Sequence, residues 1–209
     1  MVSDYLSEEE QLARLRNWWQ QNGLALLIGV IVVVAAIVGW RWYQSDQQQR
    51  IVTASDLYED FLAAEPDARP ALAEQVIESG SGTAYPAFVL LHQADAAMAE
   101  EDAGQAESLL RRAVELASGR ELADTARLRL ARTLFDLDRG DDALATLGAI
   151  QGAGFLSLAA ELKGDIHLAR GERELAHQSY LTAQERLEAG EQRPVLEMKI
   201  ADTADASDS

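Results

Sequence analysis

Between Gly23 and Trp40 the chain runs for eighteen residues without a charged or strongly polar side chain. As a helix this stretch is about 27 Å long, close to the roughly 30 Å hydrocarbon core of a bilayer. A core helix of a soluble protein keeps a polar face, which this segment lacks. Trp18 and Trp19 precede it, and Trp40, Trp42 and Tyr43 close it. Indole rings favour the headgroup level, so the two groups form interfacial belts. A cleaved signal sequence would have a shorter apolar core of about 7–15 residues and a small-residue cleavage site. Here the run ends in Val38-Gly39-Trp40-Arg41-Trp42, so the segment reads as a retained anchor. Within it, Ala25/Gly29 and Ala35/Gly39 place small residues four apart, the spacing that lets helix backbones approach, and these are candidate helix–helix contacts.

Charge does not orient the anchor. Arg14 and Arg16 precede it, and Arg41 and Arg50 follow, so the positive-inside rule is tied. The remainder is acidic: the chain carries a formal net charge of −17. A domain this acidic repels phosphate backbones, and no basic groove with interleaved aromatics is present, which argues against nucleic acid as a partner. The chain has no cysteine, which excludes disulfides, thiolate catalysis and cysteine-ligated metal.

Before the anchor, Ser7-x-x-Glu10 predicts a capping box for a short helix ending near Arg16. After it, Ile51, Ala54, Tyr58, Phe61 and Leu62 have helical spacing up to Pro66, so the anchor helix is expected to run on into the soluble part. From Ala71 onward the 3.6-residue pattern recurs between short glycine-containing breaks, with no alternating strand. The predicted class is all-α: a single N-terminal transmembrane helix followed by a tetratricopeptide-like helical-repeat domain. The segments are 1–22, a short N-terminal stretch; 23–43, the membrane helix; 44–200, the repeat domain; and 201–209, an acidic tail expected to be disordered.

The repeats rest on a spacing rule. A small residue late in one helix is followed by an alanine twelve later, a large apolar residue four further on, and an apolar or small residue three beyond that. Ala94, Ala106, Leu110 and Ala113 obey it, as do Ala131, Ala143, Leu147 and Ile150, and Gly164, Ala176, Tyr180 and Ala183. The copies start 37 and 33 residues apart, bracketing the 34-residue tetratricopeptide period. The small residue and the alanine twelve later are expected to face each other across a helix pair, with the following two positions feeding a core. Such solenoids take peptides or helices against their first helices, which makes Arg127, Arg129 and Arg132 candidate groove residues. A solvated helix face is the competing reading for these three.

Catalytic chemistry has no footing. His92, His167 and His177 lack the four-residue spacing of a helical metal pair. Asp136, Asp138, Asp141 and Asp142 lack the ligand alternation of a calcium loop and suit a polar turn before a helix N-terminus. No phosphate-binding glycine loop and no GxSxG occurs, so no cofactor, metal or enzymatic activity is expected.

The opening "YLSEEEQLARLRNWWQQNG" resembles that of the YfgM-like family, ancillary subunits of the bacterial SecYEG translocon. The matching positions are Tyr5, Glu10, Gln11, Trp18, Trp19, Asn22 and Gly23, then Gly29 and "GWRWY" from Gly39 to Tyr43. "LRLARTLFDLDRGDDALATL" and "AAELKGDIHLARGERELAHQSY" resemble its repeat region. The resemblance implies a single-pass protein of the bacterial inner membrane, with a cytoplasmic N-terminus and a periplasmic repeat domain. It also implies association with SecYEG and with periplasmic chaperones, notably of the membrane-anchored PpiD type; unfolded secreted polypeptides are a further candidate partner. The alternatives are a repeat scaffold of another envelope complex and a signalling regulator unrelated to secretion.

Overall fold

The computed structural model describes residues 8–187 and 190–204, and all regular structure among them is helical. The order is α1 (Glu8–Ala63), α2 (Arg69–Ser79), α3 (Tyr85–Ala99), α4 (Ala103–Leu116), α5 (Arg120–Asp136), α6 (Gly140–Gly148), α7 (Ala153–Ala169), α8 (Arg173–Glu185) and α9 (Pro194–Ala204). The chain divides into two units, residues 1–49 and 50–209.

In the first unit α1 passes Arg16 without a break, so no separate short helix ends there. The run of good helix formers through Trp18 offers no stop signal, and Gly23 alone does not supply one. The predicted cap at Ser7, like Tyr5, lies outside the described residues. Gly23 has a different use: a Cβ there would lie 3.3 Å from the Trp19 indole, so its absence lets the ring lie against the helix. Asn22 Nδ2 donates to the Trp18 carbonyl at 3.0 Å, satisfying an amide at the start of the apolar run. Beyond it α1 is long and apolar enough to cross a membrane. From Leu24, 75% exposed, to Trp42, 74% exposed, its large apolar side chains are uncovered by the rest of the chain. In water such a surface would be costly, and in hydrocarbon it is the matched solvent.

The second unit is built from helix pairs. All twelve positions of the three sequence copies are buried. Leu90, Leu110, Leu130, Leu134, Leu147 and Ile166 belong to one continuous core spanning α3 to α7. At the third pair the contact differs from the expected small-to-alanine facing. The nearest atoms to a Cβ built on Gly164 are all from Tyr180, at 2.3, 2.5 and 2.9 Å. The large residue lies over the small one because its ring needs the space a side chain would take. Tyr180 is fully buried, and its hydroxyl donates to Asp165 Oδ1 at 2.9 Å.

A fourth, degenerate copy precedes the three. Phe61, Ala73, Ile77 and Gly80 have the same offsets, and Phe61 stands 33 residues before Ala94. The end of α1 and α2 thus form a pair that packs through Phe61, Ala73, Val76 and Val89. Gly80 closes it: a Cβ there would lie 3.0 Å from the Ala54 Cβ.

Helix α9 ends the stack and runs to Ala204, four residues into the segment expected to be a disordered tail; residues 205–209 lie outside the described residues. Pro194 at its start and the spacing of Leu196, Ile200 and Thr203 favour a helix with one buried edge. Leu196 inserts beside Ala160, Tyr180 and Ala183. Lys199 Nζ then donates to Glu161 Oε1 and Asp165 Oδ2, each at 2.9 Å, and Arg193 lies 2.8 Å from Glu161 Oε2. Burial alone would lower the Lys199 pKa, but Asp165 and Glu161 outweigh it and hold the ammonium above its ordinary value. That contribution is complete below the ordinary lysine pKa and is lost as pH rises through the elevated one.

Two outcomes follow. Gly164→Ala should destabilise the fold by roughly 1–3 kcal/mol, each kcal/mol costing about 2–4 °C in thermal unfolding. Gly148→Ala, where a built Cβ meets nothing within 4 Å, should leave the melting temperature unchanged or slightly raised. Lys199→Met should release α9, seen as faster amide exchange across 194–204 while α3–α6 keep their protection, and the wild-type protein should show the same release at strongly alkaline pH.

Candidate interaction surfaces

The three arginines singled out on α5 do not share a face. Two residues turn a helix by about 200°, so Arg127 must point away from Arg129, whereas Arg129 and Arg132 are neighbours. Arg127 Nη1 donates to Asp124 Oδ1 at 2.7 Å. Arg129 Nη1 donates across to Asp95 on α3, at 2.9 Å to Oδ1 and 2.8 Å to Oδ2. Arg132 is exposed and makes no described ion pair. Together Arg129 and Arg132 border a recess of about 230 Å³ with Asp95, Met98, Thr133 and Asp136. The recess therefore mixes both signs of charge and offers one uncommitted guanidinium.

Asp124 explains where Arg127 went. Its side chain is fully buried, a position charged groups take only when paired. Besides Arg127 it accepts from the backbone N–H of Gly152 at 2.7 Å and of Gln151 at 3.2 Å. It thereby ties α5 to the turn that starts α7, and a Cβ on Gly152 would fall 2.9 Å from its Oδ2. Burial pushes the carboxyl pKa up, but the Gly152, Arg127 and Gln151 donors outweigh burial and leave it below the usual value. Arg127 is thus a structural residue of the stack.

A larger cleft, about 370 Å³, opens between the α1–α2 turn and the α3–α4 pair. Its floor is apolar, from Phe61, Ala96, Ala97 and Leu109, and Pro66 and Pro70 form one wall. His92 meets Phe61 edge-on with centroids 5.9 Å apart. Sequence reading passed over this cleft because its wall belongs to the degenerate first pair.

On the first unit, Ala25 and Gly29 lie along one apolar trough with Trp18, Asn22, Leu26 and Val33. Ala35 stands ten residues from Ala25, about 80° around the helix, so the two small-residue pairs mark different faces. No group of three or more candidate metal-ligating side chains occurs among the described residues.

Stacked helix pairs with open clefts, following a helix able to cross a membrane, define a helical-repeat protein-interaction module. The family model for a tetratricopeptide repeat-like domain matches residues 16–205, from within α1 to the end of α9. An ancillary SecYEG translocon subunit of Haemophilus influenzae is 33% identical over 183 residues, covering 86% of this chain and 90% of that protein. Proteins of the same name from Aggregatibacter actinomycetemcomitans and Escherichia coli (strain K12) are 32% and 31% identical, covering 90% and 84% of the chain. The chain belongs to this tetratricopeptide repeat-like family of ancillary SecYEG translocon subunits. It is an interaction protein and not an enzyme.

Asp124→Asn should cost about 1–3 kcal/mol at neutral pH, because a neutral amide leaves Arg127 without a counter-charge and points a donor at N–H groups. Since the folded pKa is depressed, the carboxylate's contribution is present above the ordinary range near 4 and is lost as pH falls through the folded value. Urea unfolding from neutral to acid pH should therefore show the gap between wild type and variant closing as the pH drops.

Proposed function

We propose that this protein is a non-enzymatic subunit associated with the SecYEG translocon, which receives emerging secreted polypeptides and passes them to periplasmic chaperones, including those of the PpiD type. It sits in the bacterial inner membrane as a single-pass protein, with the N-terminus cytoplasmic and the repeat domain periplasmic. The observation that carries this reading is the match to three translocon subunits at 31–33% identity over 84–90% of the chain. The apolar helix and the repeat fold agree with it in kind. One supplies a tether in the plane of the translocon, and the other supplies clefts for polypeptide. Tethering raises the effective concentration at an exit site, so individually weak contacts are sufficient. Within the membrane, Ala25/Gly29 and Ala35/Gly39 are the proposed contacts with partner helices. In the domain, the recess at Arg129 and Arg132 is a proposed contact, while Arg127 is occupied by Asp124.

Photo-crosslinking amino acids at Gly29, Gly39 and Arg132 in living cells should capture SecY, SecE or SecG and a PpiD-type chaperone. Capture of neither class sinks the assignment. Protease added to spheroplasts should degrade residues beyond the membrane helix, and a protected domain would reverse the topology.

A further inference from the structure

Successive helix pairs of the second unit are laced together by arginines. At the first junction the link is Arg112 on α4 to Glu74 on α2 at 3.7 Å, and at the later ones it comes from arginines beside the turns. Between α5 and α6, Arg139 donates through Nη1 to Glu107 on α4 at 2.7 Å and through Nη2 to Asp142 at 2.6 Å. At the end of α7, Arg170 pairs with Asp141 on α6 at 2.8 Å and lies over Gly140, where a Cβ would fall 2.6 Å from its Nη2. Arg170 follows Gly164 by six residues. Six residues after Ala94, the equivalent small residue of the earlier copy, stands Glu100. Both are the C-cap residues of their helices. The charge at this register position is therefore reversed between the first and third copies, while the second carries Leu137 there.

The reversal coincides with the open cleft. Where Arg170 covers Gly140, Glu100 and Pro70 instead border the space of about 370 Å³. Glu100 makes no described ion pair. The cation nearest in sequence across the cleft, Arg69, spends its Nε on the Ala64 carbonyl of its own turn at 3.0 Å. The following Glu101 and Asp102 add two more acids, and Asp102 is committed to capping α4 through Gln105 N at 2.9 Å. Gln93 and Gln105 also line the cleft, and neither makes a described side-chain hydrogen bond. Each amide side chain carries both a donor and an acceptor, as a peptide group does.

We infer that this cleft is a docking site for an extended polypeptide segment presenting an apolar residue beside a lysine or arginine. The apolar side chain covers Phe61, Ala96 and Leu109. The cation takes the position at Glu100 that Arg170 fills from within at the later junction, and Gln93 and Gln105 pair with the segment's backbone. The inference rests on reading the domain as a holder of secreted polypeptides and names where, and for which sequences, it does so. Its size is at the lower end for ligand clefts, roughly 300–1,000 Å³, and suits a few residues held weakly.

The test uses the full chain in detergent and the fluorescence anisotropy of a short labelled peptide with a central Leu-Lys pair in a Gly-Ser background. A Leu-Glu version should bind at least about tenfold more weakly. Glu100→Lys and Ala96→Trp, both at exposed positions, should each weaken the Leu-Lys peptide similarly. Arg132→Ala, in the separate recess, should not. Circular dichroism and melting of each variant establish that it is folded. Equal binding of Leu-Lys and Leu-Glu peptides, or wild-type binding by both cleft variants, overturns the inference. So does a change of oligomeric state in Ala96→Trp with peptide binding unmoved, which would make a second copy the occupant. Translocon components that still co-purify with Glu100→Lys after peptide binding is lost would separate the cleft from translocon association. Peptide binding by a wild-type chain that captures no translocon component would remove the proposed function and leave the cleft.

Discussion

The repeat domain depends on how closely the two helices of each pair can approach. At the third pair Gly164 sets that distance, because the ring of Tyr180 occupies the volume of the missing side chain. Interiors pack at the density of organic crystals, so one methyl group at such a point cannot be absorbed without moving a ring or a helix. The burial of Leu196 is a consequence, since it rests on the same Tyr180 and Ala183 surface. The ionic clamp on α9 is another, because Asp165 receives both the Tyr180 hydroxyl and Lys199. One glycine thus governs a pair contact, a buried ring and the docking of the terminal helix.

The sequence discloses this arrangement where a spacing rule is local. The three copies were legible because a small residue, an alanine and a large apolar residue recur at fixed offsets within each helix pair. The first pair was not, because Phe61 stands where the rule asks for a small residue, although Ala73 and Ile77 keep the remaining offsets. A bulky residue there packs through its ring, so the pair keeps its order and loses its signature. The extent of α9 was masked by the acidic composition of the residues around it. Its stabilising contacts join residues 34 and 38 positions apart, which no local pattern reports.

The α5 arginines show a different limit. Angular spacing alone separates Arg127 from Arg129 and Arg132, yet only the fold reveals that Asp124 is buried and claims Arg127. A charged residue on a repeat helix has two uses, lacing the stack or facing a ligand, and the sequence does not mark which. In this domain most of the arginines near pair junctions lace: Arg129 to Asp95, Arg139 to Glu107, Arg170 to Asp141. That majority is what gives the exceptions their meaning.

Helix α1 obeys two solvent rules within one continuous element. From Gly23 to Trp40 its apolar side chains point to every side, which satisfies hydrocarbon because the backbone is already hydrogen-bonded within the helix. From Arg50 on, Ala54 and Phe61 are buried while Glu59 and Asp60 face water, the one-sided pattern of a helix packed on a protein core. The change falls within the polar string Gln44–Gln49, which neither hydrocarbon nor a core would accept. A single helix can serve both solvents because helical hydrogen bonding is indifferent to what surrounds it. Only the distribution of side chains records where one environment gives way to the other.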